Sequence, residues 1–494
     1  MKLENIVAQD LVVSLAQLKG DRELLVQIQQ QLSALGWYPG GRWIDGGYGD
    51  RTEAALAKFC AAANLDSLTT GRFDRAFASA LLQLDPAKVL PKAATDREQV
   101  FQDFLRREIG FDAYKLAFLD RSIEKSPYKS HIDSYPSRLK EKPDTPNLAA
   151  IADTTGGPSV PLAKFDFYPV LGKIPAIDAK GLSFLHPDIT EACIAIGQFF
   201  GGDIRVRWLG KNALSNQQFW SVTKIIPILN VVSLANTKYP YIDVDNCMVR
   251  DRYTGTPFPF HDLATDVLTY DTKIGSSNSI SAAFKRFETY LGLEKWLKKI
   301  TGNDHLEFQG MYGEPPFFNW PELFDTKSQQ VILQAAPETP TGNNALSAYD
   351  LTRIISMLGW HHHIPKPSRF PGCQWDSLES VIRAMGKDTA RYVDVALEKL
   401  GLQDVMKSPV IISKLGFGRS DSRNRTEICY SAFVQFSNQR PKQEGNPPQL
   451  ISLAITLRGV KALNDANAEA TELDARMAAE VTEIIRRALN DQWA

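Results

Sequence analysis

A serine and a lysine three residues apart form the most chemically suggestive pair in this sequence. The run SVTK places Ser221 and Lys224 on one face of a helix, so that the amine can hydrogen-bond the hydroxyl. Ser221 follows a predicted strand hairpin and opens the apolar run IIPILNVVSLA, which is typical of a buried helix capped by the serine. This context singles it out, because the same spacing occurs three more times, at Ser122/Lys125, Ser126/Lys129 and Ser137/Lys140.

Two further polar motifs follow this pair along the chain. The run SSN at 276–278 precedes a helical segment, and KLG at 414–416 follows the strand-like run PVIIS. In this order the motifs resemble the Ser-x-x-Lys, Ser-x-Asn and Lys-Thr/Ser-Gly motifs of serine β-lactamases and penicillin-binding proteins. The resemblance covers roughly residues 165–490, including the closing strands and helix.

This resemblance implies a catalytic role for four residues. Ser221 would attack an amide carbonyl, and Lys224 would help to remove its proton. Ser276 would relay a proton to the leaving nitrogen, and Lys414 would supply positive charge near the substrate carboxylate. From the residues alone, Ser276 is also a plausible helix N-cap, and Lys414 a surface lysine at a strand edge.

The resemblance also implies a set of substrate-binding residues. Asn278 would hold the amide side chain of the substrate. The oxyanion hole would combine the backbone N–H of Ser221 with one on the strand after Lys414, at or near Gly418. That strand also carries Gly416. The polar turn at 420–425 offers a second carboxylate anchor, either Arg423 or Arg425.

Two departures from the family pattern affect the expected chemistry. Leu415 stands where the family has a hydroxyl that hydrogen-bonds the substrate carboxylate. The glutamate of the hydrolytic β-lactamases has no counterpart in register, although Glu314, Glu322 and Glu338 are available. We therefore expect weak carboxylate recognition and slow release of the acyl group.

Neither the histidines nor the cysteines predict a metal site. Consecutive side chains at 361–363 point in different directions, which favours a solvated helix end over a metal centre. The five cysteines have no Cys-x-x-Cys spacing, so we expect free core thiols. The resemblance implies no cofactor.

The N-terminal residues 21–82 are predicted to form a small helical module. Its runs LGWY at 35–38, DGGYG at 45–49 and TGRFD at 70–74 resemble the peptidoglycan-binding domain of cell-wall hydrolases. A folding adaptor without ligand remains an alternative. The candidate glycan contacts are aromatic side chains, although any of them is also suited to the core: Trp37, Tyr38, Trp43 and Tyr48.

The elements that position the motifs indicate an α+β domain over residues 163–494. Strand-like runs lie at both ends, CIAIGQF with IRVRWLG and EICYSAFVQF with LISLAITLRG, and a helical region fills the middle. This order predicts an antiparallel sheet flanked by helices and covered by a terminal helix near 466–490. Residues 83–162 are interpreted as a helical segment and a proline-rich linker, the linker beginning near 127.

Composition excludes some partners. The 494 residues contain 56 Lys and Arg against 57 Asp and Glu, so no basic field favours nucleic acid. Neither a membrane span nor an export signal is visible, although the function points to the cell envelope. The preferred function is a serine hydrolase of β-lactams or peptidoglycan-type amides, targeted to the wall. The alternatives are a catalytically weak wall-binding or sensing protein and an esterase on the same scaffold.

Overall fold

The computed structural model divides the chain into two compact units. One comprises residues 1–100 with 396–405, and the other 101–395 with 406–494. Described residues are 1–35, 37–38, 43–63, 65–83, 97–141, 165–200, 203–335, 338, 340–443 and 448–493. Within them, no helix is long and apolar enough to cross a membrane.

The N-terminal unit contains short helices and one two-stranded sheet. Its elements are α1 (Leu3–Gln9), β1 (Val13–Ser14), α2 (Leu15–Gly20), α3 (Arg22–Ala34), α4 (Asp50–Ala62), α5 (Ser67–Thr70), β2 (Arg72–Phe73) and α6 (Arg75–Gln83). Leu3, Ile6 and Leu18 are fully buried in the same core as α3 and α6. The compact unit therefore also includes residues before the predicted module 21–82, because its first two helices contribute apolar side chains to that core.

The second unit is built on an antiparallel sheet, as predicted. The remaining strands are β3 (Asp166–Phe167), β4 (Ile177–Asp178), β5 (Ile189–Phe200), β6 (Asp203–Lys211), β7 (Cys247–Asp251), β8 (Phe258–Pro259), β9 (Glu307–Phe308), β10 (Pro321–Asp325), β11 (Gln330–Gln334), β12 (Asn344–Ala345), β13 (Met406–Ser420), β14 (Arg425–Asn438) and β15 (Gln449–Lys461). The main sheet has the order β13-β14-β15-β5-β6-β3, and β4 pairs parallel to β6. Both predicted strand pairs form, although the Gly201–Gly202 turn lies outside the described residues.

Helices fill the middle of the chain and close its end. They are α7 (Arg97–Arg107), α8 (Tyr135–Lys140), α9 (Ile225–Lys238), α10 (Phe260–Thr269), α11 (Ser277–Lys285), α12 (Tyr290–Thr301), α13 (Ala348–Gly359), α14 (Trp375–Gly386), α15 (Tyr392–Lys399), α16 (Arg440–Gln443) and α17 (Ala466–Asn490). The predicted terminal helix is therefore confirmed. The middle helix α9 is apolar on almost every side, which is why it lies within the core.

The main sheet is packed on both faces. The ring of Phe433 on β14 lies against Gly359 at the end of α13, while Thr426 on the same strand hydrogen-bonds Glu469 of α17. Since side chains alternate along an uninterrupted strand, these two contacts belong to opposite faces. The sheet is thus a central layer, and its edge strand β13 is free to border a site.

Part of the predicted linker is folded. Residues 129–134 form a 3₁₀ helix that continues into α8, whose Tyr135 and Leu139 are buried. Ile132 and Tyr135 approach Gly386 of α14. The proline-rich composition was misleading here because Pro136 occupies the first turn of α8, where its missing N–H costs no hydrogen bond. Residues 142–162 of the predicted linker lie outside the described part of the chain.

The histidine run differs from its prediction, whereas the cysteines agree with theirs. His361 is only 4% exposed and lies beside Trp375, and the ring of His363 packs on Phe199. The run is therefore packed against Trp375 of α14 and Phe199 of β5 rather than solvated. All five cysteines are free and buried, as predicted.

Candidate active site

A polar cavity of about 580 Å³ lies in the second unit beside the edge strand β13. Its walls come from the turn at 220–224, the start of α11, the segment 311–314 and Phe417 of β13. Ser221 and Lys224 both line it, together with the SSN run. Two of the three sequence motifs therefore line the cavity, and the third, at 414–416, directly precedes its wall residue Phe417.

Ser221 lies in a 3₁₀ turn rather than at the cap of an α-helix. Residues 220–224 form this turn, and α9 begins only at Ile225. In a 3₁₀ helix, side chains three residues apart eclipse each other, so the Ser221–Lys224 pairing on one face is retained. Trp220, directly before the nucleophile candidate, has a φ of 49°, an uncommon value for a bulky residue and a mark of local strain.

Gly416 allows β13 to approach this turn closely. A Cβ at this position would lie 2.6 Å from the carbonyl oxygen of Phe219 and 3.2 Å from the nitrogen of Ser221. Any side chain would therefore push the strand away from the Ser221 backbone. The role of Gly416 is steric, since it brings the strand and the turn together at the cavity.

Lys224 is buried and tied to the SSN run. Its Nζ donates to Ser277 Oγ at 2.7 Å and to Asn278 Oδ1 at 2.6 Å, and the residue is 1% exposed. Burial and the nearby charge of Lys414 lower the pKa of Lys224 to about 6. At neutral pH the amine is then uncharged, with both N–H groups engaged and a lone pair left to accept a proton.

The two serines of the SSN run have different partners. Ser276 caps α11 by accepting from the Ser279 N–H at 3.1 Å, and its hydroxyl donates to Glu314. Ser277 is the serine that contacts Lys224. The predicted relay residue, Ser276, is therefore displaced from Lys224, because the residue that caps a helix must direct its oxygen toward the helix N–H groups.

Tyr270 connects the remaining catalytic candidates. It ends α10 in a left-handed conformation with a φ of 57°. Its hydroxyl accepts a hydrogen bond from Lys414 Nζ at 2.6 Å, and Tyr270 lines the cavity together with Ser221. Lys414 is fully buried, and burial lowers its pKa to about 8 while the charge of Asp388 opposes that shift. Lys414 is thus connected to the cavity through the Tyr270 phenol.

Glu314 lines the cavity although its sequence register gave no reason to choose it. Its Oε1 accepts from Asn278 Nδ2 at 2.8 Å, and its other oxygen accepts from Ser276. Asn278 therefore bridges two ionisable groups, with its oxygen toward Lys224 and its nitrogen toward Glu314.

Gly418 leaves space for Trp220, the residue before Ser221, and does not line the cavity. A Cβ at Gly418 would lie 2.4 Å from the ring of Trp220, so this glycine makes room for the indole. The neighbouring Phe417 lines the cavity instead. The Trp220 indole also donates to Glu427 at 2.9 Å, which fixes it from the other side.

The two predicted arginine anchors are directed toward a buried carboxylate. Arg425 Nε lies 2.8 Å and Arg423 Nη2 lies 3.1 Å from Glu427 Oε1, and Arg458 lies 2.9 Å from the same atom. Neither Arg423 nor Arg425 is among the described residues that line the cavity. Arg423 approaches its rim only through Gln218, to which it donates at 3.0 Å. An unpaired Glu427 would be costly in the core, so the arginines remain with it.

The aromatic candidates of the N-terminal unit separate into core and surface. Tyr38 is 8% exposed, and its hydroxyl accepts from Gln29 and donates to the Trp43 carbonyl, so it is a core residue. Trp37 packs on Phe59, and Tyr48 is partly buried. Trp43 is 39% exposed, with the guanidinium of Arg51 stacked 4.0 Å from its ring. Among the four candidates, Trp43 is the most accessible.

Comparison with protein families identifies this unit. Residues 21–81 match the family model described as a putative peptidoglycan binding domain. The resemblance predicted from the glycine-rich runs is confirmed. Comparison with curated proteins gives no match.

Several solved structures are similar to part of the chain at low sequence identity. One is a β-lactamase from Desulfarculus baarsii, 14% identical, with 60% of this chain and 92% of that chain covered at a TM-score of 0.33. Another is an acyl-enzyme complex of PBP-A with penicillin G, which is 14% identical. The match covers 63% of this chain and 99% of that chain, with a TM-score of 0.35. A third is the transpeptidase domain of the D,D-transpeptidase FtsI4 from Legionella pneumophila, which is 11% identical. The match covers 62% of this chain and 99% of that chain, with a TM-score of 0.28.

Three residues of the candidate site were missed or left unassigned by sequence reasoning. Tyr270 belongs to no motif and offers no signal apart from its type. Ser277 was part of the SSN run without a role, and Glu314 was one of three available glutamates. Only the three-dimensional structure distinguishes Glu314 from the others, since Glu322 pairs with Arg250 on a separate sheet.

Proposed function

We propose that the second unit is a serine hydrolase that acts through an acyl-enzyme on β-lactam or peptidoglycan-type amide substrates. The observation that carries this proposal is the arrangement around Ser221. An uncharged lysine, Lys224, lies on the same face of the turn, and Tyr270, whose hydroxyl accepts a hydrogen bond from a second lysine, lines the same cavity. This arrangement suits removal of a proton from the serine and its return to a leaving group.

The proposed reaction begins with proton transfer from Ser221 to the lone pair of Lys224. The serine oxygen bonds to the carbonyl carbon, and the oxyanion is held by the Ser221 N–H and a β13 N–H near Phe417. Lys224 then returns the proton through Ser277 to the amide nitrogen, and the carbon–nitrogen bond breaks. Water later cleaves the ester. Ser277 thus takes the relay role that the sequence assigned to Ser276.

Labelling by a fluorescent penicillin, followed by intact-protein mass, tests this reaction. We expect a single adduct that maps to the Ser221 peptide. The Ser221→Ala variant should lose labelling and keep its fold. Ser137→Ala is the matched control, because Ser137 has the same lysine spacing on α8 but lies outside the cavity. Labelling that persists in Ser221→Ala excludes this nucleophile.

An esterase is the second candidate, and one specific observation favours it. Leu415 is 4% exposed and, by alternation along β13, lies on the opposite face from Lys414 and Gly416. Arg423 and Arg425 are ion-paired with Glu427. Among the described residues, the cavity therefore has few cationic groups that could bind a substrate carboxylate. Turnover of a neutral nitrophenyl ester without penicillin labelling would select this alternative. Absence of both reactions would select the wall-binding or sensing alternative.

The N-terminal unit is proposed to hold the enzyme on peptidoglycan. The family match supports this role, as does the exposed Trp43. Co-sedimentation of the full chain with purified sacculi tests it. Protein that stays in the supernatant would favour the adaptor alternative.

A further inference from the structure

The cavity beside Ser221 has an unusual charge balance. Among the described residues that line it, Lys224 is the only basic side chain and Glu314 is the only carboxylate. Lys224 has its Nζ turned toward Ser277 and Asn278. The lowered pKa of this lysine leaves it uncharged at neutral pH. The remaining wall charge belongs to the carboxylate of Glu314.

The other nearby cations are bound to groups of the protein. Lys285 Nζ donates to the Gly310 carbonyl and to Asn344 Oδ1, and the ammonium of the fully buried Lys414 lies on the Tyr270 ring, 4.1 Å from the centroid. Arg423 and Arg425 are bound to Glu427. Among the described residues, no lysine or arginine forms an ion pair with Glu314. A ligand in the cavity therefore meets a carboxylate with which no described lysine or arginine forms a direct ion pair.

Glu314 lines the same cavity as Ser221. It is linked to Lys224 through a single amide, that of Asn278. The two hydrogen bonds from Ser276 and Asn278 use only part of the acceptor capacity of a carboxylate, which has about four lone-pair sites. Glu314 is half-buried, so its field is screened less than that of a surface carboxylate.

We propose that this site selects acyl groups that carry a positive charge a few atoms from the scissile carbonyl and disfavours acyl groups that carry a negative charge. The inference rests on the proposed function of Ser221 and deepens it by naming the substrate class. Opposite charges a few ångströms apart in a partly buried cavity attract strongly, and like charges repel by a comparable amount.

Three nitrophenyl esters of matched length test the proposal. Their acyl groups are 4-(trimethylammonio)butanoyl, the neutral isostere 5,5-dimethylhexanoyl, and 4-sulfobutanoyl. The full chain is used, nitrophenolate release gives kcat/KM, and intact mass locates the adduct. We expect the cationic ester to exceed the neutral one by about tenfold and the anionic ester to be the poorest.

The variant Glu314→Gln assigns the preference to its source. It should bring the cationic-to-neutral ratio of kcat/KM close to one, whatever it does to the absolute rates. Glu307→Gln is the matched control, because it removes the same charge from an exposed residue of β9 outside the cavity. The control should keep the wild-type ratio.

Each alternative outcome has a distinct meaning. An anionic or neutral ester that reacts as fast as the cationic one overturns the inference, while its adduct on Ser221 leaves the proposed function in place. A cationic preference that survives in Glu314→Gln also overturns it. Failure of all three esters to acylate Ser221, together with failure of penicillin labelling, overturns the proposed function itself.

Discussion

The ammonium nitrogen of Lys414 lies 2.6 Å from the hydroxyl oxygen of Tyr270. Tyr270 lines the cavity together with Ser221, so we propose that this lysine on the edge strand acts on the serine through the phenol. Burial raises the pKa of Tyr270, which keeps its proton in the resting site. The phenol can therefore orient the serine hydroxyl and stabilise charge that develops on it.

Replacement of Tyr270 by phenylalanine should slow acylation of Ser221 by about ten- to hundredfold, the range for a lost hydrogen bond to a charged group. The ring packing is retained, so the melting temperature should change little. Stopped-flow labelling with a fluorescent penicillin measures the rate. Tyr312→Phe is the control, since that hydroxyl donates to the Thr223 carbonyl within the same cavity. Equal effects of the two variants would argue against a specific role for Tyr270.

The pH dependence of acylation should follow Lys224. Its pKa is lowered to about 6, so protonation below pH 6 removes the lone pair that accepts the serine proton. The acylation rate should therefore rise about tenfold per pH unit up to about 6 and level off above it. The pKa of Lys414, lowered to about 8, predicts a second limb, in which the rate falls as that charge is lost. A profile of kcat/KM that is flat from pH 5 to 7 would contradict the assignment of Lys224.

Release of a penicillin adduct from Ser221 should be slow. The sequence has no glutamate in the register that the hydrolytic β-lactamases use to activate water for release of the acyl group. We expect the adduct to persist for many minutes in intact-mass time courses. Glu314→Gln should change the half-life of the adduct by less than about threefold, the size of effect usual for a substitution that removes no critical interaction. Rapid multiple turnover of a chromogenic cephalosporin would contradict this prediction and direct the search for the missing base to Glu314, Glu322 and Glu338.

Trp43 should contribute to wall binding. Its exposed indole is suited to stack on a sugar ring, so Trp43→Ala should weaken co-sedimentation with sacculi by about three- to tenfold, as expected for one lost aromatic contact. Tyr114→Ala is the control, because Tyr114 is 95% exposed and lies in the second unit. An unchanged Trp43→Ala variant would direct the search to other faces of the N-terminal unit.

The sequence determined most of the architecture. Strand alternation at both ends of the second unit predicted the antiparallel sheet, and α17 was expected near its observed bounds. These predictions succeeded because hydrophobic periodicity is local and reports which face is buried. The glycine-rich runs likewise identified the N-terminal module, because tight turns require particular residues at fixed positions.

The sequence also predicted which segments carry the site but not which atoms meet there. The motifs at 221–224, 276–278 and 414–416 were found from type and spacing, and all reach the cavity or its border. Ser276 and Ser277 are adjacent and identical in type, so only the cap of α11 distinguishes them. Local propensity cannot decide which of two neighbouring serines faces a lysine 50 residues away.

Tertiary structure alone decided the electrostatics. Arg423 and Arg425 were candidate anchors until the fold placed buried Glu427 beside them, and a buried carboxylate holds its cations strongly. Tyr270 lies at the end of α10 and Glu314 lies in the segment 311–314, and no sequence motif marks either position. The charge state of Lys224 depends on burial and on the distance to Lys414, and both are fixed only when strands and helices distant in the chain pack together.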